Sequence, residues 1–208
     1  MNKAGTEQLE LVGACSQARE WAKDVKDIKT AWATCPRSDW MIWALHRIDF
    51  KDERKFRLYA CQCVRETPLA DGRTLWDLLT DERSRNAVEV AERFAEGKAT
   101  DDERSVAYAY AYAAAYDAAA ADAYDAAAAA GVAAAITADD AAYAYAIGAA
   151  AAALAAAYAA AVEAAAYADD ADAARKTAQE WQADLLRQWI SWDEVAKAIK
   201  VYKIARKA

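Results

Sequence analysis

The stretch "SVAYAYAYAAAYDAAAADAYDAAAAAG", residues 105–131, uses little beyond alanine, tyrosine and aspartate. Alanine has the highest helix propensity of any residue, so such a run predicts helix without help from its surroundings. A methyl side chain also lets two helix backbones approach at or below the usual spacing of about 8–10 Å. Upstream, Thr100 and Glu103 have the spacing of a capping box, which starts the tract. Gly131 ends a first helix of roughly 101–130, and Thr137 with Asp140 restarts a second over 138–168. The pattern predicts an antiparallel pair packed through alanine. Tyr108, Tyr112 and Tyr116 form one ridge at i, i+4 and i+8 and act as wedges with hydroxyls at the solvent edge. Thr137 is the single threonine between Thr100 and Thr177, which excludes the regular threonine row of an ice-binding helix.

The rest of the chain reads as helix too. Two prolines and six glycines among 208 residues leave too little punctuation for a many-turned β fold. "TEQLELVGACSQAREWAKD" and "DIKTAWATC" come first, the latter stopped by Pro36. Ser38 or Asp39 is placed to cap "DWMIWALHRI", a helix apolar on nearly all sides and so expected in the middle of a core. "KDERKFRLYACQCVRET" carries a stripe of Phe56, Ala60, Cys63 and Val64. Thr80 is positioned to cap "DERSRNAVEVAERFAE", whose stripe of Ala87, Val88, Ala91, Phe94 and Ala95 ends at Gly97. A helix over 170–189 places Trp181, Leu185 and Trp189 on one face. Ser191 with Glu194 caps a last helix with Val195, Ile199 and Tyr202 inward and lysines outward. The expectation is an all-α multi-helix bundle with long, closely packed Ala/Tyr-rich helices. A helical head (1–98) and an alanine-rich hairpin with C-terminal helices (99–208) pack as one continuous domain.

Charge divides along the chain. Residues 101–172 hold twelve acids against one base, Arg104, a balance of −11; the whole chain is −7, which leaves +4 elsewhere. An acidic wing beside a mildly basic head suits docking, either to the head itself or to a basic partner. A sequence pI near 4.9 argues against a nucleic-acid surface, the lysines of "DEVAKAIKVYKIARK" being a local exception. The longest apolar run, "AIGAAAAALAAAYAAAV", is mostly alanine and no membrane span. The start lacks a hydrophobic signal core. A cytoplasmic location is the expectation.

Several chemistries are disfavoured by composition. A catalytic triad would rest entirely on the one histidine, His46, which lies in a tryptophan-rich helix with no nucleophile signature nearby, and repeated Glu-x-x-His metal pairs cannot be built; a core or interface role is expected for it. Cys61 and Cys63, two apart on a helix, point roughly 200° apart and cannot share a metal. With Cys15 and Cys35 they read as small buried hydrophobes. No glycine-rich phosphate loop is present. A purely carboxylate site would need Asp117, Asp122 and Glu163. No cofactor, metal or catalytic set is expected.

The densest candidate binding site is "CPRSDWMIW", where Arg37 and Asp39 flank a helix start and Trp40 and Trp43 lie one turn apart. An arginine fork beside indole faces holds a planar anion or a partner's carboxylate. Against it stands a structural reading in which Asp39 caps, Arg37 pairs with an acid and the tryptophans fill the core. Arg65, Glu89, Glu92 and Arg93 rank second. The i,i+4 spacings of Arg85–Glu89 and Glu89–Arg93 predict a surface ladder.

"AWATCPRSDWMIWAL", "RKFRLYACQCVRETPL", "RSRNAVEVAERFAEGKATDDE", the Ala/Tyr tract and "DLLRQWISWDE" together resemble the all-helical immunity proteins of bacterial polymorphic toxin systems. Related sequences are carried by phages and actinobacteria. The resemblance runs from about residue 14 to residue 194. Its most specific part is Cys-x-Arg-x-Asp-Trp-x-x-Trp, here Cys35, Arg37, Asp39, Trp40 and Trp43, with Ser38 where relatives have glycine. It implies a non-enzymatic toxin inhibitor acting by stoichiometric binding to a protein toxin or defence protein. The second reading is a phage counter-defence sponge that sequesters a nucleotide-derived signal in a cleft of Arg37, Trp40, Trp43 and tyrosines. Self-association through alanine faces stays open.

Overall fold

The computed structural model describes Leu9 and residues 13–69, 72–120 and 171–205, and these are all-helical. The helices are α1 (Ser16–Ala22), α2 (Ile28–Thr34), α3 (Ser38–Arg47), α4 (Glu53–Glu66), α5 (Leu75–Leu78), α6 (Glu82–Ala95), α7 (Asp101–Ala120), α8 (Ala171–Trp189) and α9 (Trp192–Ala205). No strand forms among the described residues; a lone bridge joins Pro68 to Thr74. None of these helices is long and apolar enough to cross a membrane. The second alanine-rich helix expected over 138–168 lies outside the described residues.

Short polar side chains start most helices by accepting from amides that have no intrahelical partner. Asp27 accepts from the Thr30 amide at 2.7 Å and Asp52 from the Lys55 amide at 3.0 Å. Both expected capping boxes form: Glu103 accepts from the Thr100 amide at 2.8 Å and Glu194 from the Ser191 amide at 2.9 Å. Two expected caps do not. Asp81, not Thr80, caps α6, accepting from the Arg83 amide at 2.8 Å. Helix α3 begins at Ser38 with Arg37 as its cap residue and no side-chain cap bond. Asp39 stands in the first turn, where the helix dipole favours an acid. Gly97, at φ 72°, closes α6 in a left-handed turn. Its amide donates to the Phe94 carbonyl at 2.9 Å and the Lys98 amide to that of Arg93 at 2.7 Å, a Schellman closure.

Helix α4 separates two cores. Phe56, Tyr59 and Cys63 face one with Trp32, Ile42 and Leu186, while Ala60, Cys61 and Val64 face the other with Leu75 and Val88. The single stripe expected on α4 is therefore a helix buried on two faces, Arg57 included. Helix α8 runs along both cores, placing Ala178 in one and Leu185 and Leu186 in the other. Between them Gln182 is fully buried, its amide donating to Thr67 Oγ1 at 3.3 Å.

The most extensive helix–helix contact among these elements joins α6 to α7. Ala87, Val88 and Ala91 of α6 and Ala107 and Ala111 of α7 belong to one buried cluster. Alanine packing is thus observed between α7 and the head; the expected packing on a second alanine-rich helix lies outside the described residues. Two buried arginines hold the same joint: Arg57 and Arg104 lie over Phe94 at 5.2 and 4.8 Å from its centroid.

Candidate functional site

The "CPRSDWMIW" segment folds largely as the structural alternative anticipates. Arg37 Nε donates to Asp39 Oδ1 at 3.0 Å and Nη2 to Oδ2 at 2.6 Å, so the fork is filled from within the same segment. That bond to Asp39 raises the Arg37 guanidinium above its ordinary value. The guanidinium lies 4.7 Å from the Trp40 ring centroid, and Trp40 packs at 6.0 Å on Trp21. Cys35, buried beside it, is pushed up to about 11 by desolvation and is a neutral thiol.

The tryptophans do not fill the core, however. Met41, Ile42 and Leu45 are buried, whereas Trp40 and Trp43 are half-buried and Ala44 is exposed. This corrects the expectation of a central helix: one face of α3 forms the wall of a cavity of about 330 Å³. Trp21 of α1, Trp32 of α2 and Ile199 of α9 supply the other sides. Arg187 ties α8 to the end of α2, donating from Nε to the Trp32 carbonyl at 2.8 Å and from Nη2 to that of Cys35. Lys55 of α4 pairs with Glu194 at the start of α9. Sequence reasoning missed Trp21, Trp32 and Arg187, because no local spacing links them to α3.

His46, expected in a core or interface, is exposed in the last turn of α3. Cys15 departs from the buried-thiol expectation: it is exposed, and its sulfur accepts from the Ala18 amide at 3.4 Å as the cap of α1. Cys61 and Cys63 are buried, with Cys63 raised to about 12 by desolvation. Among the described residues no three potential ligands cluster around a metal position.

The second-rank residues separate. Arg65 spans from α4 to α6, binding Glu92 with both arms at 2.5 and 2.8 Å and stacking on Trp76 at 4.1 Å. Neither ion pair of the expected ladder forms among the described residues. Arg85 donates to the Leu79 carbonyl at 2.5 Å and lies over Trp76 at 5.4 Å. Arg93 pairs with Glu103 of α7 at 3.7 Å, leaving Glu89 on the exposed face. An exposed i,i+4 pair contributes only about 0.3–0.5 kcal/mol, and bonding to a carbonyl with indole stacking exceeds that.

Along α7 the tyrosines are not wedges. Ala107, Ala111 and Ala114 are buried, while the rings of Tyr108, Tyr110, Tyr112 and Tyr116 range from 40% to 72% exposed, with Val106 at 54%. Tyr108 and Tyr112 touch each other at 6.2 Å between centroids. The acids of α7 turn largely to bases of the molecule itself: Asp117 to Arg83 at 2.8 Å, Asp101 to Arg104 at 3.0 Å and Glu103 to Arg93. This part of the acidic wing docks on the head. Asp122 and Glu163 of the carboxylate-only site lie outside the described residues.

No family model, curated protein or solved structure matches the chain.

Proposed function

We propose that the chain is a non-enzymatic binding protein that neutralises a toxin or defence factor by one-to-one association, gripping it through the tyrosine face of α7. The observation that carries this reading is the ridge of exposed rings, Tyr108, Tyr112 and Tyr116 at i, i+4 and i+8, on a helix anchored by its alanines. Tyrosine offers large amphipathic contact area at low entropic cost, which is why it is enriched in interfaces and paratopes. Because Asp101, Glu103 and Asp117 are paired internally, contact area and not charge supplies most of the grip. The complex should therefore survive moderate salt.

A nucleotide sponge has less support. A phosphorylated planar ligand calls for an open arginine fork, and that of Arg37 is filled by Asp39.

The test is co-expression of the full chain with candidate toxins, followed by size-exclusion chromatography. A one-to-one complex is expected, and serine at Tyr108, Tyr112 and Tyr116 together should weaken it by at least about tenfold. Turnover of a substrate by the purified chain, or a complex indifferent to the three serines, overturns the reading.

A further inference from the structure

The aromatic cavity is a separate feature from the tyrosine face. Its volume of about 330 Å³ lies at the lower end of the range, about 300–1,000 Å³, of small-molecule sites. Trp40, Trp43, Ala44 and Arg47 follow one another at i, i+3, i+4 and i+7, so α3 presents a continuous wall that ends in a cation. Helix α9 repeats the pattern with Val195, Ile199 and Tyr202 followed by Lys203. Arg47 and Lys203 are the charged residues of the lining, both are exposed, and no carboxylate lines the cavity among the described residues. Arg47 stacks over Trp43 at 5.5 Å, and neither cation has an ion pair among the described residues. By contrast Arg37, just outside, is paired with Asp39 and also donates to Gln17.

From this charge pattern the geometry points to a binding site for a small amphipathic anion, an apolar body carrying one carboxylate. The body enters among Trp21, Trp32, Trp40 and Trp43, and the carboxylate meets Arg47 and Lys203 at the rim. An apolar interior rewards removal of a hydrocarbon or ring from water, while a polyanion would find too few polar partners inside. The two cations set the sign of the ligand, and the indoles set its character.

Decanoate, decan-1-ol and decyltrimethylammonium, all below micellar concentration, test this on the full chain, read by tryptophan fluorescence. Saturable one-to-one binding is expected for decanoate, at least about tenfold tighter than for the cation. Substituting both Arg47→Gln and Lys203→Gln, at exposed positions, should bring decanoate to the affinity of decanol and leave decanol unchanged. Ala44→Trp fills the cavity from an exposed position and should abolish all three responses with the melting transition retained. Absence of saturation overturns the proposal. So does equal affinity across the three probes, no loss in the double variant, or undiminished binding to Ala44→Trp. A response that appears only when residues 1–8 are deleted assigns the cavity to that segment instead and equally overturns it.

Discussion

Around α3 the large rings turn inward: Trp21, Trp32, Trp40 and Trp43 converge on one cavity, with small Ala44 on the same wall. Along α7 the order is reversed, with Ala107, Ala111 and Ala114 inside and four tyrosines outside. The two arrangements solve different packing problems. Indoles span wide gaps between short helices but tile imperfectly, and a void is left. Methyl groups leave little void and draw helices together, so the big side chains must go elsewhere. One region thereby acquires a hollow and the other an aromatic exterior.

The sharpest way to break the contrast is to open a second void on the tryptophan side. Ile42 is fully buried, so Ile42→Ala should cost about 2–5 kcal/mol in denaturant unfolding. A cost below about 1 kcal/mol would mean that this core is loosely packed throughout and that the cavity is not a distinct feature.

A smaller loss is expected at the joint between the regions. Arg104→Ala removes a buried side chain that stacks on Phe94 and pairs with Asp101, and should cost about 1–2 kcal/mol. If it costs nothing, the buried guanidinium of Arg104 does not help to hold α7 to the head.

Acid sharpens the comparison from another direction. Glu194 is held below its ordinary value of 4.5 by the Lys55 hydrogen bond and the Ser191 amide, and Glu103 by the Thr100 amide and hydroxyl. Asp81 is lowered from 3.8 chiefly by Arg83. A depressed folded value means stability that is present above the unfolded value and lost as pH falls through the folded one. Melting temperature should therefore fall on acidification from about pH 5 downward, through both regions at once. Glu194→Gln should flatten part of that slope; an unchanged slope would show that the Lys55–Glu194 bond does not tie α9 to α4 in solution.

Local features were legible in the sequence. The capping boxes at Thr100 and Ser191 and the closure at Gly97 depend on residues within one turn of each other. The stripe of Ala87, Val88 and Ala91 is buried as its spacing foretold. What could not be read was choice among distant partners. Arg65 and Arg85 converge on Trp76, and Arg93 reaches Glu103 across a turn, so the i,i+4 ladder lost its members to contacts with no sequence spacing. The pairing of Arg37 with Asp39 was legible as the structural alternative. That Trp40 and Trp43 face a hollow was not, since the opposite walls come from α1, α2 and α9.

The central claim is that α7 is inverted, small inside and aromatic outside, and placing one incoming side chain at neighbouring positions tests it most directly. Ala111→Leu should destabilise the chain by about 1–3 kcal/mol through overpacking against α6, whereas Tyr112→Leu should stay within about 0.5 kcal/mol of the parent. Equal costs at the two positions, or a larger cost at 112, would contradict the account.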